Sequence, residues 1–496
     1  MRARLICLSA TLAVLLCPIL GHAETGCQSI LHLLGNKATG VVCFESPDLT
    51  TNNTTNPPTG PTTPPDNSLT PWPPFAFTPV TDRSKIAPAT NPSTITKAVP
   101  GIQVEGYFAD DPTQEARFLL RFPTNWNGKL VMAGSSGTRS EFNGDYVWSD
   151  YVLQKGYAYA SQNKGVMNLY VSASTDPLGC RLNEDTLNFF FVHFYDNDPQ
   201  KPFTQWTEYI IKTTKLAQTA VEHYYGKHAD RTYVVGTSNG GYQTRRALEV
   251  APELFDGGVD WEGTFVDPRG PNILIDLPPV LANYPAYASG GFDPNSQAAK
   301  NIIAAGYPPD ITLTTSSGGT TTTSSLWEAY NEEFWEVTAC QWQKRLDPGY
   351  NTYVSGLANY DYWQRVHATD GAVFNNLAQI ATTGDIGKPL ITVAGTMDAL
   401  LPIRREARQY EDRVLDHRHH APYRLYEVQN GNHIEAFAAT FPQLELITPH
   451  AHEAFDVLVN HVEHDAILPP SQCIPHGGSV SSTPAEIGHC ANLFEP

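Results

Sequence analysis

Basic residues are scarce in this chain. Lys and Arg number 32 against 51 Asp and Glu in 496 residues, a formal net charge of -19. A field of that sign repels phosphate backbones and anionic lipid, so neither a nucleic-acid partner nor a membrane surface is expected. Charged residues as a whole reach only 17%, whereas hydrophobic residues make up 41% and aromatics 11%; that much apolar surface excludes disorder of the whole chain. Beyond the first two dozen residues no apolar run of about 18 residues occurs, which excludes a later membrane-spanning helix. No Cys-x-x-Cys pair or compact Cys/His set is present, so no structural zinc site is expected. No length-regular repeat is present either, which argues against a solenoid or propeller.

What is there begins with MRARLICLSATLAVLLCPILGHAE. Arg2 and Arg4 form a basic start, Leu5 to Leu20 an apolar stretch, and Gly21-His22-Ala23 a small-residue cleavage site before Glu24, so residues 1–23 read as a signal peptide and the chain as exported, extracellular or periplasmic. Two of the eight cysteines leave with it. The six that remain, Cys27, Cys43, Cys180, Cys340, Cys473 and Cys490, are an even set for an oxidising compartment. Cys27/Cys43 and Cys473/Cys490 are close enough in sequence to act as local staples, which leaves Cys180/Cys340.

Residues 24–46 form a short cysteine-bearing segment, and residues 47–92 a Pro/Thr/Asn-rich linker that has no face to bury. From about Ile102 short strands alternate with helices. Strands are expected at Ala116–Phe122, Lys129–Ala133, Tyr157–Ser161, Arg231–Val235, Val259–Trp261, Leu390–Ala394 and Tyr423–Val428, and helices at Gln205–Tyr225, Gly240–Val250 and Ala451–His461. This pattern predicts an α/β fold whose mostly parallel sheet is covered on both faces. Its first part spans residues 93–265, and its second part, with a C-terminal extension, spans 386–496. The stretch 266–385 between them is too long for an ordinary connection and reads as an inserted cap or lid domain.

Chemistry concentrates at Gly236-Thr237-Ser238-Asn239-Gly240-Gly241, set between the strand RTYVV and a helix. Small residues at 236 and 240 permit the tight turn that exposes a nucleophilic hydroxyl, so Ser238 is the candidate nucleophile. A serine hydroxyl needs a base, and the base an orienting acid. His433, after the strand ending at Val428, is the candidate base, and Asp398, after the strand ending near Ala394, the candidate acid. Asp260 and Asp385 are the rival acids, and His417, His419 and His420 the rival bases. The order Ser238, Asp398, His433 is that of an α/β-hydrolase. For the oxyanion, the expected donors are the backbone amides of Asn239 and of Ser135 or Ser136 in the loop after Lys129–Ala133. Trp261, Trp327, Tyr330 and Trp335 are candidates for a substrate cleft. His450, His452, His461 and His464 read as a solvated helix face. The scheme requires neither cofactor nor metal.

Several segments resemble the tannase and feruloyl esterase family. These are Phe122-Pro123-Thr124-Asn125-Trp126-Asn127-Gly128-Lys129, Gly156-Tyr157-Ala158-Tyr159-Ala160, the Gly236–Gly241 turn, and Pro252-Glu253-Leu254-Phe255-Asp256-Gly257. The serine motif is also similar to that of extracellular polyhydroxyalkanoate depolymerases and hydroxybutyrate oligomer hydrolases. The resemblance implies an α/β-hydrolase fold and hydrolysis of small or polymeric carboxylic esters, including aromatic esters and polyesters, through an acyl-enzyme. The chain departs from the family at Thr237 and Ile434, where the family carries a cysteine pair that ties nucleophile to base. A serine peptidase or amidase of the same fold, or a noncatalytic extracellular binding protein, are the alternative functions.

Overall fold

Strand-forming residues repeat with period two along the middle of the chain, and the alternation places them on two faces of one sheet. In Lys129–Gly134, Leu130 and Met132 enter one apolar cluster while Val131 and Ala133 enter the other; Val234 is separated from Tyr233 and Val235 in the same way. Each such fully buried aliphatic side chain contributes on the order of 1.5–3 kcal/mol. The computed structural model describes residues 26–53, 94–112, 116–137, 140–165, 203–317, 320–350, 357–419 and 421–496. The expected signal peptide, most of the expected linker, and Cys180 lie outside the described residues.

The sheet is built from β1 (Ala38–Ser46), β2 (Gly101–Phe108), β3 (Arg117–Pro123), β4 (Lys129–Gly134), β5 (Ala158–Gln162), β6 (Arg231–Thr237), β7 (Gly257–Trp261), β10 (Leu390–Gly395), β11 (Tyr423–Val428) and β12 (Gln472–Ile474). These ten strands run in the order β1-β2-β3-β5-β4-β6-β7-β10-β11-β12. Pairing is antiparallel from β1 to β5 and parallel from β5 through β4 to β12. The mostly parallel sheet is therefore as expected. Within the cysteine-bearing segment 24–46, β1 pairs with β2 and closes one edge of the sheet. The helix Gly26–Leu34 packs beside it, and the Cys27–Cys43 disulfide joins helix to strand. At the opposite edge β12 pairs with β11 and carries the Cys473–Cys490 disulfide. Cys340 is also disulfide-bonded.

Between β7 and β10 lie the helices Ile273–Ser289, Gln297–Ala304, Leu326–Tyr330, Glu336–Leu346, Tyr362–Ala368 and Ala372–Ile380. The polar run TLTTSS…TTTTSS in this stretch is a hairpin of β8 (Thr312–Ser317) and β9 (Thr320–Ser325). β-branched threonine suits an extended backbone even where few apolar residues mark a strand. The insertion does not form a core of its own. Its Leu274, Leu277, Trp327, Trp335, Trp342 and Leu377 belong to the same apolar cluster as Leu130, Val234 and Leu390 of the sheet. Among the described residues, no helix is long and apolar enough to cross a membrane.

Candidate active site

The parallel half of the sheet brings the ends of β6, β7, β10 and β11 to one edge, with Thr237 opposite Trp261, Val393 opposite Trp261 and Gly395 opposite Val428. The groups that follow these strands form the candidate site. Ser238 comes directly after β6 with φ 58° and ψ −122°, a left-handed conformation unusual for a side-chain-bearing residue, and the helix Asn239–Val250 starts immediately after it. The turn is held by the Ser238 amide, which donates to the Trp261 carbonyl at 2.8 Å, and by the Tyr242 amide, which donates to the Ser238 carbonyl at 3.0 Å. A Cβ on Gly236 would lie 2.2 Å from the Gly240 carbonyl oxygen, and one on Gly240 would lie 2.5 Å from that of Gly134. Both glycines are therefore required by close backbone approach, as the motif predicts.

His433 follows β11, and its Nδ1 lies 2.8 Å from Asp398 Oδ2. Asp398 is fully buried. Its other carboxylate oxygen accepts the amides of Leu400 and Leu401, each at 2.7 Å, which fixes the carboxylate in the loop after β10. The two loops are tied together by the Asn430 amide donating to Thr396 Oγ1 at 2.9 Å and the Met397 amide donating to the Gly431 carbonyl at 2.8 Å. The C-terminal tail braces both: Thr396 Oγ1 donates to the Leu493 carbonyl, and Asn430 Nδ2 donates to the Glu495 carbonyl at 2.5 Å. Ser238 and His433 are both mostly buried. Among the described residues no hydrogen bond joins them.

A second carboxylate meets the same ring nitrogen. Glu262, the residue after β7, holds its Oε2 3.2 Å from His433 Nδ1. Its Oε1 accepts the Gly395 amide at 2.8 Å, and Trp261 Nε1 donates to Oε2 at 3.1 Å. Two acceptors at Nδ1 assign a proton to that nitrogen, so that in the neutral ring Nε2 is the acceptor. Burial raises the Glu262 carboxyl above its ordinary value, and neighbouring Asp398 raises it further. Burial opposes charging of the His433 ring, but Asp398 and then Glu262 outweigh it and raise the ring above its ordinary value. The sequence reading missed Glu262. The available signal was an acidic residue at the first position past the strand next to that of Ser238; the rival acid in that stretch was Asp260, two residues earlier. Asp260 instead accepts from Arg245 Nε, from the Gly263 amide at 2.7 Å and from Thr392 Oγ1 at 2.9 Å, so its carboxylate is spent on the core.

On the other side of Ser238, the Asn239 amide occupies the first position of its helix, where no internal acceptor exists. Ser135 and Ser136 differ. The Ser135 amide donates to Gln243 Oε1 at 3.0 Å and the Ser136 amide to Asn143 Oδ1 at 2.8 Å, so both donors are already paired with side chains. Lys164 Nζ clamps the loop from its carbonyl side, donating to Ser135 O at 2.6 Å and to Ser136 O.

The four expected cleft aromatics are all buried, at 3% exposure for Trp261, 1% for Trp327 and 0% for Tyr330 and Trp335. They pack rather than open onto a cleft. Trp327 meets Tyr287 edge-on with centroids 5.0 Å apart, Tyr330 Oη donates to Asn432 Oδ1 at 2.7 Å, and Trp335 Nε1 donates to the Ala399 carbonyl at 2.6 Å. Tyr330 and Trp335 thus fasten the insertion to the loops bearing His433 and Asp398. Of the C-terminal histidines, His452 stacks on Tyr151 at 3.7 Å and His450 faces Glu445 at 3.3 Å. Among the described residues, His417 Nε2 lies against the Thr383 carbonyl at 2.9 Å, away from the site. Among the described residues, a carboxylate oxygen of Glu262, one of Asp398 and a ring nitrogen of His433 lie within 4.8 Å of one another.

The sheet order, the strained turn after β6 and the inserted segment before β10 define an α/β-hydrolase. Residues 103–261 match the family described as tannase and feruloyl esterase, and residues 291–492 match that of 3HB-oligomer hydrolase. A mono(2-hydroxyethyl) terephthalate hydrolase from Piscinibacter sakaiensis is 29% identical over 152 residues, covering 29% of this chain and 23% of that protein. A D-(-)-3-hydroxybutyrate oligomer hydrolase from Burkholderia ambifaria is 35% identical over 107 residues, covering 20% of this chain and 15% of that protein. The matched region thus spans less than a quarter of the length of these curated relatives. Among solved structures, feruloyl esterase B from Aspergillus oryzae aligns over 90% of this chain and 91% of its own at 14% identity, with a TM-score of 0.48.

Proposed function

We propose that the chain is a secreted serine hydrolase of carboxylic esters. The observation that carries this reading is the buried Asp398–His433 pair at the same sheet edge as Ser238, whose strained backbone sits between a strand and a helix. In this scheme Ser238 Oγ attacks the ester carbonyl carbon and gives its proton to His433 Nε2. The Asn239 amide stabilises the oxyanion, and collapse of the tetrahedral intermediate expels the alcohol, which takes the proton from the ring. Water, deprotonated by His433, then attacks the acyl-enzyme and releases the acid. The substrate class is small or polymeric esters, aromatic esters and polyesters included; the names of the terephthalate and hydroxybutyrate relatives support it. The basic and apolar first residues and the disulfides support export.

The test is hydrolysis of short 4-nitrophenyl esters, hydroxycinnamate and gallate esters, and aliphatic and aromatic polyesters by the wild type and by Ser238→Ala. The expected result is turnover of at least one ester class that falls by three orders of magnitude or more in the variant. Ester turnover that survives Ser238→Ala refutes the nucleophile, and a folded wild type inactive on every ester refutes the esterase reading.

A further inference from the structure

An imidazole that must cycle between neutral and charged forms is oriented by whatever accepts its second proton, and one carboxylate is enough for that task. Here the ends of two neighbouring strands each supply one. Asp398 reaches His433 Nδ1 from the loop after β10 at 2.8 Å and Glu262 reaches it from the end of β7 at 3.2 Å, and both carboxylates are almost fully buried. The position of Glu262 is built rather than accidental. Its backbone takes a left-handed φ of 49°, its amide donates to the Val393 carbonyl at 2.9 Å, and its side chain is aimed by the Gly395 amide and the Trp261 indole. Among the described residues no lysine or arginine pairs with this carboxylate. The titratable groups facing it are His433, Asp398 and, from the inserted segment, Tyr330. Burying a second carboxylate with no cation beside it is costly unless a group it faces becomes positive. The group that does so in the proposed cycle is the His433 ring.

We infer that Glu262 is a second positioning acid for His433, sharing the Nδ1 proton with Asp398 and stabilising the imidazolium together with it. The inference rests on the serine-hydrolase reading above. It predicts a distribution of effect that a single-acid site does not have. Loss of the only acid in a Ser-His-acid site costs about 10⁴-fold in kcat. With two acids, Asp398→Asn should cost only about 10- to 100-fold, whereas the double variant Asp398→Asn/Glu262→Gln should fall by about 10⁴-fold, more than the product of the single losses. The sign of the pH effect follows from the charges. Ester hydrolysis requires neutral His433, and each carboxylate holds the ring protonated to higher pH, so removing the Glu262 charge should move the acid limb of kcat/KM to lower pH.

The experiment measures pH profiles of 4-nitrophenyl acetate hydrolysis for the full-length wild type, the two single variants and the double variant. Alongside it, the His433 ring is titrated by ¹⁵N NMR in Ser238→Ala with and without Glu262→Gln. The expected result is a residual activity of Asp398→Asn that depends on Glu262, a lowered acid limb in Glu262→Gln, and a lowered ring pKa in the inactive background. An Asp398→Asn variant already as impaired as the double variant overturns the inference, as does a ring titration that Glu262→Gln leaves unmoved. Should Glu262→Gln not fold, the activity retained by Asp398→Asn decides alone. The ring titration needs no turnover, so a failure of the esterase reading, seen as undiminished hydrolysis by Ser238→Ala, is separable from a failure of the Glu262 assignment.

Discussion

The two edges of the sheet are closed by similar devices and serve different ends. At one, β1 lies antiparallel to β2 and a disulfide spans a separation of 16 residues; at the other, β12 lies parallel to β11 and a disulfide spans 17. In chain-entropy terms the two loops are nearly equivalent, each restricting the unfolded chain by about 3 kcal/mol. What differs is what the stapled segment touches. The first joins a helix to an edge strand remote from Ser238. The second fixes the tail whose Leu493 and Glu495 carbonyls receive Thr396 and Asn430, within three residues of Asp398 and His433. A crosslink therefore bears on chemistry only where the chain it restrains holds a reacting group in place.

Of the variants at the two edges, Cys473→Ser/Cys490→Ser, which loosens the tail, should have the largest effect. Loss of about 3 kcal/mol in denaturant titration and about a tenfold fall in kcat on a 4-nitrophenyl ester are expected together, because a small misplacement of the proposed acid and base is costly. Cys27→Ser/Cys43→Ser should lose about the same stability with kcat unchanged, and a kcat loss equal to that of the first variant would erase the distinction between the edges. Thr396→Val isolates the brace from the crosslink. It deletes one hydroxyl that serves both Leu493 and Asn430, and should cost about 1–3 kcal/mol with a smaller, roughly threefold fall in kcat.

A last effect concerns neither edge and is read in the pH dependence of stability. Glu406 is buried behind the site, one oxygen accepting the Phe265 amide, and burial followed by Asp276 pushes its carboxyl up to about 8 from 4.5. The folded state then binds this proton more tightly than the unfolded state, so stability falls as pH rises from about 4.5 through about 8. Glu406→Gln removes that ionisation, and its Tm relative to wild type should be higher at pH 9 than at pH 5. An equal difference at both pH values would show that Glu406 does not titrate in this range.

Much of the fold was legible because its strands are short apolar runs bounded by turn formers, and because the tight turn at Ser238 needs small residues at fixed offsets from the serine. The strands flanking Ser238, Asp398 and His433 all lie where the periodicity puts them. Legibility failed where the deciding partner is distant in sequence. β1 carries polar and apolar residues without a clean alternation, and only pairing with β2 makes it a strand. The amides of Ser135 and Ser136 look available from their glycine-flanked loop, yet Gln243 and Asn143 occupy them. Aromatic residues in an insertion suggest a cleft equally well whether they face substrate or a neighbouring loop, and Tyr330 and Trp335 face the loops.

The sequence by itself determined the α/β architecture, the tight turn at Ser238 and the placing of Ser238, Asp398 and His433 after successive strands, since these depend on local periodicity, steric demands within a few residues and the sequence of strand ends. Only the tertiary structure decided that Glu262 meets the same imidazole as Asp398 and that the C-terminal tail braces both loops. Those relations join strand ends and a terminus separated by scores of residues, and the parallel pairing of β7, β10, β11 and β12 is what brings them within hydrogen-bonding distance.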